Sequence, residues 1–163
     1  MKVNNYTYLQ DNLLLIILET GQKKWIRLDD NSGKILTRPK VDSLTKVQHP
    51  GIWLGTDYNT GESYVIHNHY HFGGAHIATF SAYAAGQQVS WKAGRCTNDP
   101  MRVINTGLAH VVSGKPYDLL NYNCQTFANT ACYNKPVSED VNKWFEVVLG
   151  VLLVGVAVTA LKA

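Results

Sequence analysis

The chain has 163 residues, the usual size of one domain with short appendages. Its 45% hydrophobic residues, with four Trp, nine Tyr and four Phe, exclude intrinsic disorder. The 15 basic residues give a formal net charge of only +3 and are spread along the chain, which argues against a nucleic-acid partner. The sequence therefore predicts one globular unit.

The cysteines, Cys96, Cys124 and Cys132, are odd in number and show no CxxC spacing. This pattern argues against a disulfide framework and predicts a reducing, cytoplasmic location. We assign Cys96, in a polar loop, and Cys132, on an apolar stripe, to structural roles. The first residues contain no charged segment that leads into a long apolar one, so we also expect no signal peptide.

The first 45 residues predict a β-meander that belongs to the same unit as the rest. Residues 13–18 and 25–28 are apolar runs of strand length. Residues 29–33 have the Asp, Asn and Gly composition of a hairpin turn that leads into a third strand at 34–37.

Two short apolar strands, at 51–55 and 64–67, are joined by a polar loop. His49 precedes the first strand and His67 ends the second, so a hairpin brings both imidazoles to one end of a sheet. Turn and capping residues then predict helices at 79–85 and 98–112, with a strand near 88–91 between them.

Cys124 is predicted to open a helix. Apolar residues follow it at helical spacing, at Phe127, Ala128, Ala131 and Cys132. Asn123 is the expected N-cap, and a second helix is expected to begin at Ser138. The helix terminus and an adjacent imidazolium favour thiolate, so Cys124 is the candidate nucleophile. The alternative is a small buried hydrophobic side chain.

A thiol nucleophile needs a base within hydrogen-bond reach and a group that orients the base, and His49 and His67 meet that need. A competing interpretation uses His67, His69 and His71, whose alternation on a strand suits zinc. The glycines at 73–74 indicate a loop there, with no acidic or thiolate ligand nearby, so we expect no metal and no cofactor. His76 and His110 receive no role.

Three segments carry a resemblance to a known family: HPGIWLG at 49–55, YVIH at 64–67 and GKPYDLLNYNCQTF at 114–127. Their order resembles the lecithin:retinol acyltransferase-like family, which includes the H-Ras-like-suppressor phospholipases/acyltransferases. The resemblance covers roughly residues 47–145, and we place the catalytic domain at 46–145. Animal members read NCEHFV where this chain has NCQTFA at 123–128, and the loop between the histidine strands is longer here.

The resemblance implies an α+β fold, a circularly permuted NlpC-type papain-like fold, with an antiparallel sheet and the cysteine helix packed on it. It implies Cys124 as nucleophile, His49 as general base and His67 as the orienting third member. The backbone amide of Cys124, at the helix start, is the natural oxyanion donor. Tyr122 is a second candidate donor and equally a packing residue.

Three functions fit these residues. The first is a thiol hydrolase or acyltransferase that acts on lipid acyl esters through a thioester acyl-enzyme. The second uses the same residues as a peptidase or amidase of cell-wall peptides or protein isopeptide bonds. The third is a non-catalytic, membrane-associated binding domain that keeps the fold.

The C-terminal residues, 146–163, are predicted to form an apolar helix. From 147 to 161 every residue is apolar, Gly or Thr, which is shorter than the roughly 20 residues that span a bilayer. The family resemblance favours a membrane anchor, and the alternative is a helix buried in the domain or in an oligomer.

Deletion of residues 147–163 should leave a folded domain with a reactive Cys124 and should sharply reduce binding to phospholipid vesicles. Vesicle co-sedimentation of the full chain and the truncated chain measures this. An unfolded truncated chain would instead assign the segment to the core.

Overall fold

A computed structural model describes residues 1–10, 12–40, 47–138 and 141–143. The fold is α+β, with an eight-stranded antiparallel sheet and helices packed on it. The strands are β1 Val3–Tyr8, β2 Leu13–Leu18, β3 Lys23–Arg27, β4 Ile35–Pro39, β5 Gln48–Asp57, β6 Ser63–His69, β7 Gly74–Thr79 and β8 Ser90–Trp91. The helices are α1 Phe80–Ala84, α2 Pro100–Ser113 and α3 Cys124–Tyr133.

The helix caps that were predicted from the sequence for α2 are present in the structure. Asp99 begins α2 by accepting a hydrogen bond from the amide of Arg102, and Gly114 ends the helix with a φ of 60°. Thr79, predicted as the first residue of α1, is its N-cap and accepts from the Ala82 amide. These local signals place the three helices within one or two residues of their predicted ends.

The predicted hairpin at 29–33 is wrong, although a turn does form there. β3 and β4 do not pair with each other; both pair antiparallel with β5, through Ile26↔Asp57 at one end and Ile35↔Ile52 further along. The Ser32 hydroxyl donates to the Leu54 carbonyl oxygen at 2.8 Å and holds the turn against β5. Because β5 has 10 residues, its edge accommodates two short strands end to end.

The sheet buries a different set of side chains on each face. On one face, Ile52, Ile66 and Ile77 pack in the main core beneath α2. α2 approaches closely at Gly107, where a Cβ would lie 3.0 Å from the Ile52 side chain. On the other face, α1 places Tyr83 against a smaller core. α3 packs against β5 and β6, the two strands that carry the histidines.

Cys96 and Cys132 form a disulfide, so the prediction against a disulfide framework is wrong for this pair. The two residues are 36 positions apart, and no local pattern links them. Tertiary packing brings them together because the loop before α2 runs beside α3, where the Asn98 side chain donates to the Ala131 carbonyl oxygen at 2.7 Å. The expectation of a reducing compartment therefore loses the support of Cys96 and Cys132.

Loss of this disulfide should lower the free energy of unfolding by about 2–4 kcal/mol, since the cross-link restricts the unfolded chain. Chemical denaturation of the wild type with and without reductant measures the loss. Cys96→Ser should match the reduced wild type and should not respond to reductant. Equal stability of the oxidised and reduced wild type would contradict this prediction.

Ser138 begins the next helical segment as predicted. Its hydroxyl oxygen accepts from the Val141 amide at 3.4 Å, and residues 141–143 are helical. The predicted apolar helix at 146–163 lies outside the described residues. Within the described ranges, no helix is long and apolar enough to cross a membrane.

Candidate active site

β5 and β6 bring His49 and His67 into direct contact. Nε2 of His49 lies 2.8 Å from Nδ1 of His67, and both side chains are buried, with 1% and 3% of their surface exposed. The two strands are adjacent and antiparallel, with Ile52 opposite Ile66. The hairpin predicted from the sequence therefore produces a hydrogen-bonded imidazole pair.

The other ring nitrogen of His49, Nδ1, is buried and has no hydrogen-bond partner among the described residues. A buried polar atom without a partner is unusual in a folded protein and calls for a functional explanation. Because Nε2 is engaged with His67, Nδ1 is the nitrogen of His49 that remains to accept a proton.

Cys124 is the first residue of α3 and is buried, with 4% of its surface exposed. Asn123 caps this helix through its side-chain oxygen, which accepts from the amides of Gln125 and Thr126 at 2.9 and 3.0 Å. The Asn123 side chain also donates to the Leu119 carbonyl oxygen at 2.9 Å. These bonds hold the thiol at the positive end of the helix dipole.

Tyr83, which the sequence did not single out, lies against the histidine pair. Its hydroxyl donates to the His49 carbonyl oxygen at 2.6 Å, and its ring centroid lies 5.8 Å from that of His49 and 5.3 Å from that of His67. Burial raises the pKa of Tyr83, the Arg38 guanidinium lowers it, and ionisation of Cys124 would raise it. The Tyr83 ring therefore packs against both members of the histidine pair.

Cys124 lines a cavity of about 280 Å³. Most of the other lining residues are apolar or aromatic; the full set is Val47, Tyr117, Leu119, Leu120, Asn123, Gln125, Ser138 and Val141. Burial, followed by the effect of an ionised Cys124, raises the pKa of Tyr117 to about 12. The apolar dipeptide at 119–120, just before the cysteine, is the signal in the sequence that marks this cavity.

Burial, followed by the nearby Arg38 guanidinium, lowers the pKa of His49 to about 2. Arg38 lies opposite His49 in β4 and is itself buried. The pKa of His67 is also well below its usual range because of burial. Both imidazoles are therefore neutral near pH 7, and the expectation of an imidazolium beside Cys124 is wrong.

The remaining sequence candidates lie in different places. β6 ends at His69 and a 3₁₀ turn follows at Tyr70–Phe72, so the alternation required for zinc stops before His71. In the part of the chain that the structure describes, no group of three or more His, Cys, Asp or Glu side chains is arranged to hold a metal ion. The Tyr122 ring packs against His110 at 5.2 Å and beneath the Lys115 ammonium at 4.2 Å.

Acid should destabilise the protein through its buried histidines. The pKa values of His49, His67 and His76 are all lowered by burial, whereas an unfolded chain protonates histidine near about pH 6.5. Below that pH the unfolded state binds more protons than the folded state, so the free energy of unfolding decreases. Each group contributes a slope of at most about 1.4 kcal/mol per pH unit.

Urea denaturation at several pH values between 7.5 and 5 checks this expectation, with about pH 6.5 as the start of the decline. His76→Gln removes one of the three buried groups and should flatten the decline, while exposed His71→Gln should not. An identical pH dependence of the wild type and His76→Gln would contradict the assignment.

No protein-family model matches the chain, and a search of curated proteins finds no match either. The fold and the positions of the candidate residues nevertheless define a structural class. It is an α+β protein in which an antiparallel sheet carries a buried histidine pair, and a cysteine begins a helix that packs on the two strands of this pair.

Proposed function

We propose that this chain is a cysteine-dependent hydrolase or acyltransferase with a permuted NlpC-type papain-like fold, acting on lipid acyl esters. One observation carries the proposal. His49 is bound through Nε2 to His67, its Nδ1 is buried without a partner among the described residues, and Cys124 begins the helix that packs on the two strands of this pair. A thiol nucleophile requires this arrangement of base and orienting group.

In the proposed reaction, His49 Nδ1 takes the proton of the Cys124 thiol as the sulfur attacks the acyl carbonyl carbon. The tetrahedral oxygen receives a hydrogen bond from the Cys124 backbone amide at the start of α3. The intermediate collapses when the leaving alkoxide accepts the proton from His49, and a thioester remains on Cys124. Water, or an alcohol or amine, then attacks the thioester with His49 again as the base.

His67 has a supporting role in this scheme. When His49 carries its proton on Nε2, that N–H donates to His67 Nδ1 and the lone pair lies on His49 Nδ1. The lowered pKa of His49 keeps the base unprotonated in the free enzyme. The pair therefore begins as thiol and imidazole, and the proton moves during the attack.

The cavity beside Cys124 supports a lipid substrate over a peptide. Its walls include Val47, Leu119, Leu120 and Val141, which suit an acyl chain, whereas a peptide substrate needs hydrogen-bond partners along its backbone. Leu119 and Leu120 are 63% and 50% exposed, so apolar side chains border the solvent beside the nucleophile. We propose that this border meets the membrane surface from which the acyl lipid comes.

The test is to incubate the protein with mixed phospholipids and to map acyl thioesters by mass spectrometry. The proposal expects an acyl group on Cys124 and none in Cys124→Ala. The disulfide-bonded Cys96 and Cys132 serve as internal controls. Cleavage of stem or isopeptide substrates without lipid acylation would favour the peptidase, and absence of both reactions would favour a binding domain.

A further inference from the structure

A second cavity, which shares no lining residue with the one beside Cys124, contains the Cys96–Cys132 disulfide in its wall. Its volume is about 600 Å³. Cys132 is buried, with 1% of its surface exposed, whereas Cys96 is only partly buried. A molecule that enters this cavity therefore has better access to the sulfur of Cys96 than to that of Cys132.

Charged side chains line this cavity beside the disulfide. They are the cations Lys34, Lys92 and Arg95 and the carboxylates Asp30 and Asp99. The Asp99 carboxylate is engaged at the start of α2, where it accepts from the Arg102 amide at 3.0 Å. Among the described residues, none of the three cations forms an ion pair with a carboxylate. The cavity therefore offers a surplus of positive charge to an anionic molecule.

Lys92 lies over the face of α3 that carries Cys132. Its ammonium is 3.4 Å from the side-chain oxygen of Asn129 and 5.5 Å from the centroid of the Tyr133 ring. Cys132 and Tyr133 follow Asn129 by three and four residues in the helix, so all three lie on this face. A nearby ammonium favours a cysteine thiolate over the thiol, which helps the Cys132 sulfur to leave when the disulfide is broken.

We propose that the Cys96–Cys132 disulfide is a thiol-exchange site, at which a small anionic thiol enters the cavity and forms a mixed disulfide with Cys96. The thiolate of the incoming molecule attacks Sγ of Cys96 and forms the new sulfur–sulfur bond. The bond between Cys96 and Cys132 breaks, its electron pair leaves on Cys132, and that thiolate takes a proton from water. One disulfide replaces another, so the step needs no further oxidant or reductant.

The loop that carries Cys96 is also held on α3 by hydrogen bonds that do not involve sulfur. The Thr97 hydroxyl and the Asn98 amide donate to the Cys132 carbonyl oxygen at 3.2 and 3.1 Å, and the Asn98 side chain donates to the Ala131 carbonyl oxygen at 2.7 Å. These bonds keep the two cysteines close together after the disulfide is opened. The Cys132 thiolate can therefore attack the mixed disulfide at Cys96, which re-forms the original bond and releases the thiol.

The wild-type chain with its disulfide intact tests the proposal. The probes are glutathione as the anionic thiol, 2-mercaptoethanol as the neutral thiol and cysteamine as the cationic thiol. Reactions are stopped with acid, and mass spectrometry of peptic peptides, prepared at acid pH, locates the adduct. We expect glutathione on Cys96 and a thiol at Cys132. When the protein is returned to neutral pH without glutathione, the adduct should disappear as the original disulfide re-forms.

Rates of disulfide opening test the role of charge. The rate for each thiol is divided by its rate with hydroxyethyl disulfide, a neutral reference that cancels the intrinsic reactivity of the thiol. At low ionic strength the normalised rate should be at least about fivefold higher for glutathione than for cysteamine, and added salt should reduce this difference. Arg95→Gln should weaken the preference for glutathione. Lys23→Gln, which removes the same charge from an exposed position in β3 outside the cavity, should not.

An adduct on Cys132, the absence of an adduct on Cys96, or equal normalised rates for the three thiols would overturn the proposal. An adduct that persists at neutral pH, or an unchanged preference in Arg95→Gln, would overturn it as well. None of these measurements depends on acyl transfer, so a failure of the proposed function would leave the exchange site intact.

Discussion

Turnover of an acyl ester is expected to fall by at least about a thousandfold in Cys124→Ala, because the reaction loses the atom that forms the acyl-enzyme. The fold should persist. Alanine is the best helix former, and the cap of α3 uses the Asn123 side chain and the amides of Gln125 and Thr126, which the substitution does not touch. Steady-state kinetics together with thermal unfolding measure the two effects.

Cys96→Ser is the matched control for this experiment, because it also removes one sulfur atom. Cys96 is bonded to Cys132, which lies at the opposite end of α3 from Cys124. It should lose stability and keep turnover when assayed below its unfolding temperature. Activity of Cys124→Ala close to that of the wild type would reject the nucleophile assignment.

His49→Asn is expected to lose nearly as much turnover as Cys124→Ala, because an amide cannot accept the thiol proton. Members of one catalytic unit are not additive, so the double variant should be little worse than either single variant. The pH profile of the wild type should show no loss of kcat/KM near about pH 6.5 on the acid side, since burial lowers the pKa of His49 to about 2.

His67→Asn is the informative comparison for His49→Asn, because its side-chain oxygen retains an acceptor close to the position of Nδ1. His67→Asn should lose less turnover than His49→Asn, because His67 orients the base without taking the proton. Kinetics on both variants, with unfolding curves as a check on folding, measure the difference. A larger loss of turnover in His67→Asn than in His49→Asn would mean that His67 is the base and His49 orients it.

The local elements of this protein are determined by short stretches of sequence. Asn123 before Cys124 predicts the start of α3, and Asp99, Pro100 and Gly114 predict both ends of α2, because a cap bonds to backbone groups only a few residues away. The β5–β6 hairpin follows equally from two apolar runs and a polar loop. The contact between His49 and His67 could therefore be predicted before the fold was known.

The tertiary structure decided the features that depend on distant residues. The 36-residue separation of Cys96 and Cys132 contains no local signal of a bond, and the length of β5 turned a predicted hairpin into two strands on one edge. Tyr83 and His76 join the site only because α1 and β7 pack against β6.

The protonation of the site was likewise decided by packing. Sequence spacing predicted an imidazolium next to a thiol, but burial and the neighbouring Arg38 guanidinium lower the pKa of His49. Desolvation depends on what surrounds a side chain in three dimensions, and residue spacing along the chain does not contain that information. The sequence by itself therefore determined that His49 and His67 meet, and the tertiary structure determined which distant residues join them and which groups carry protons.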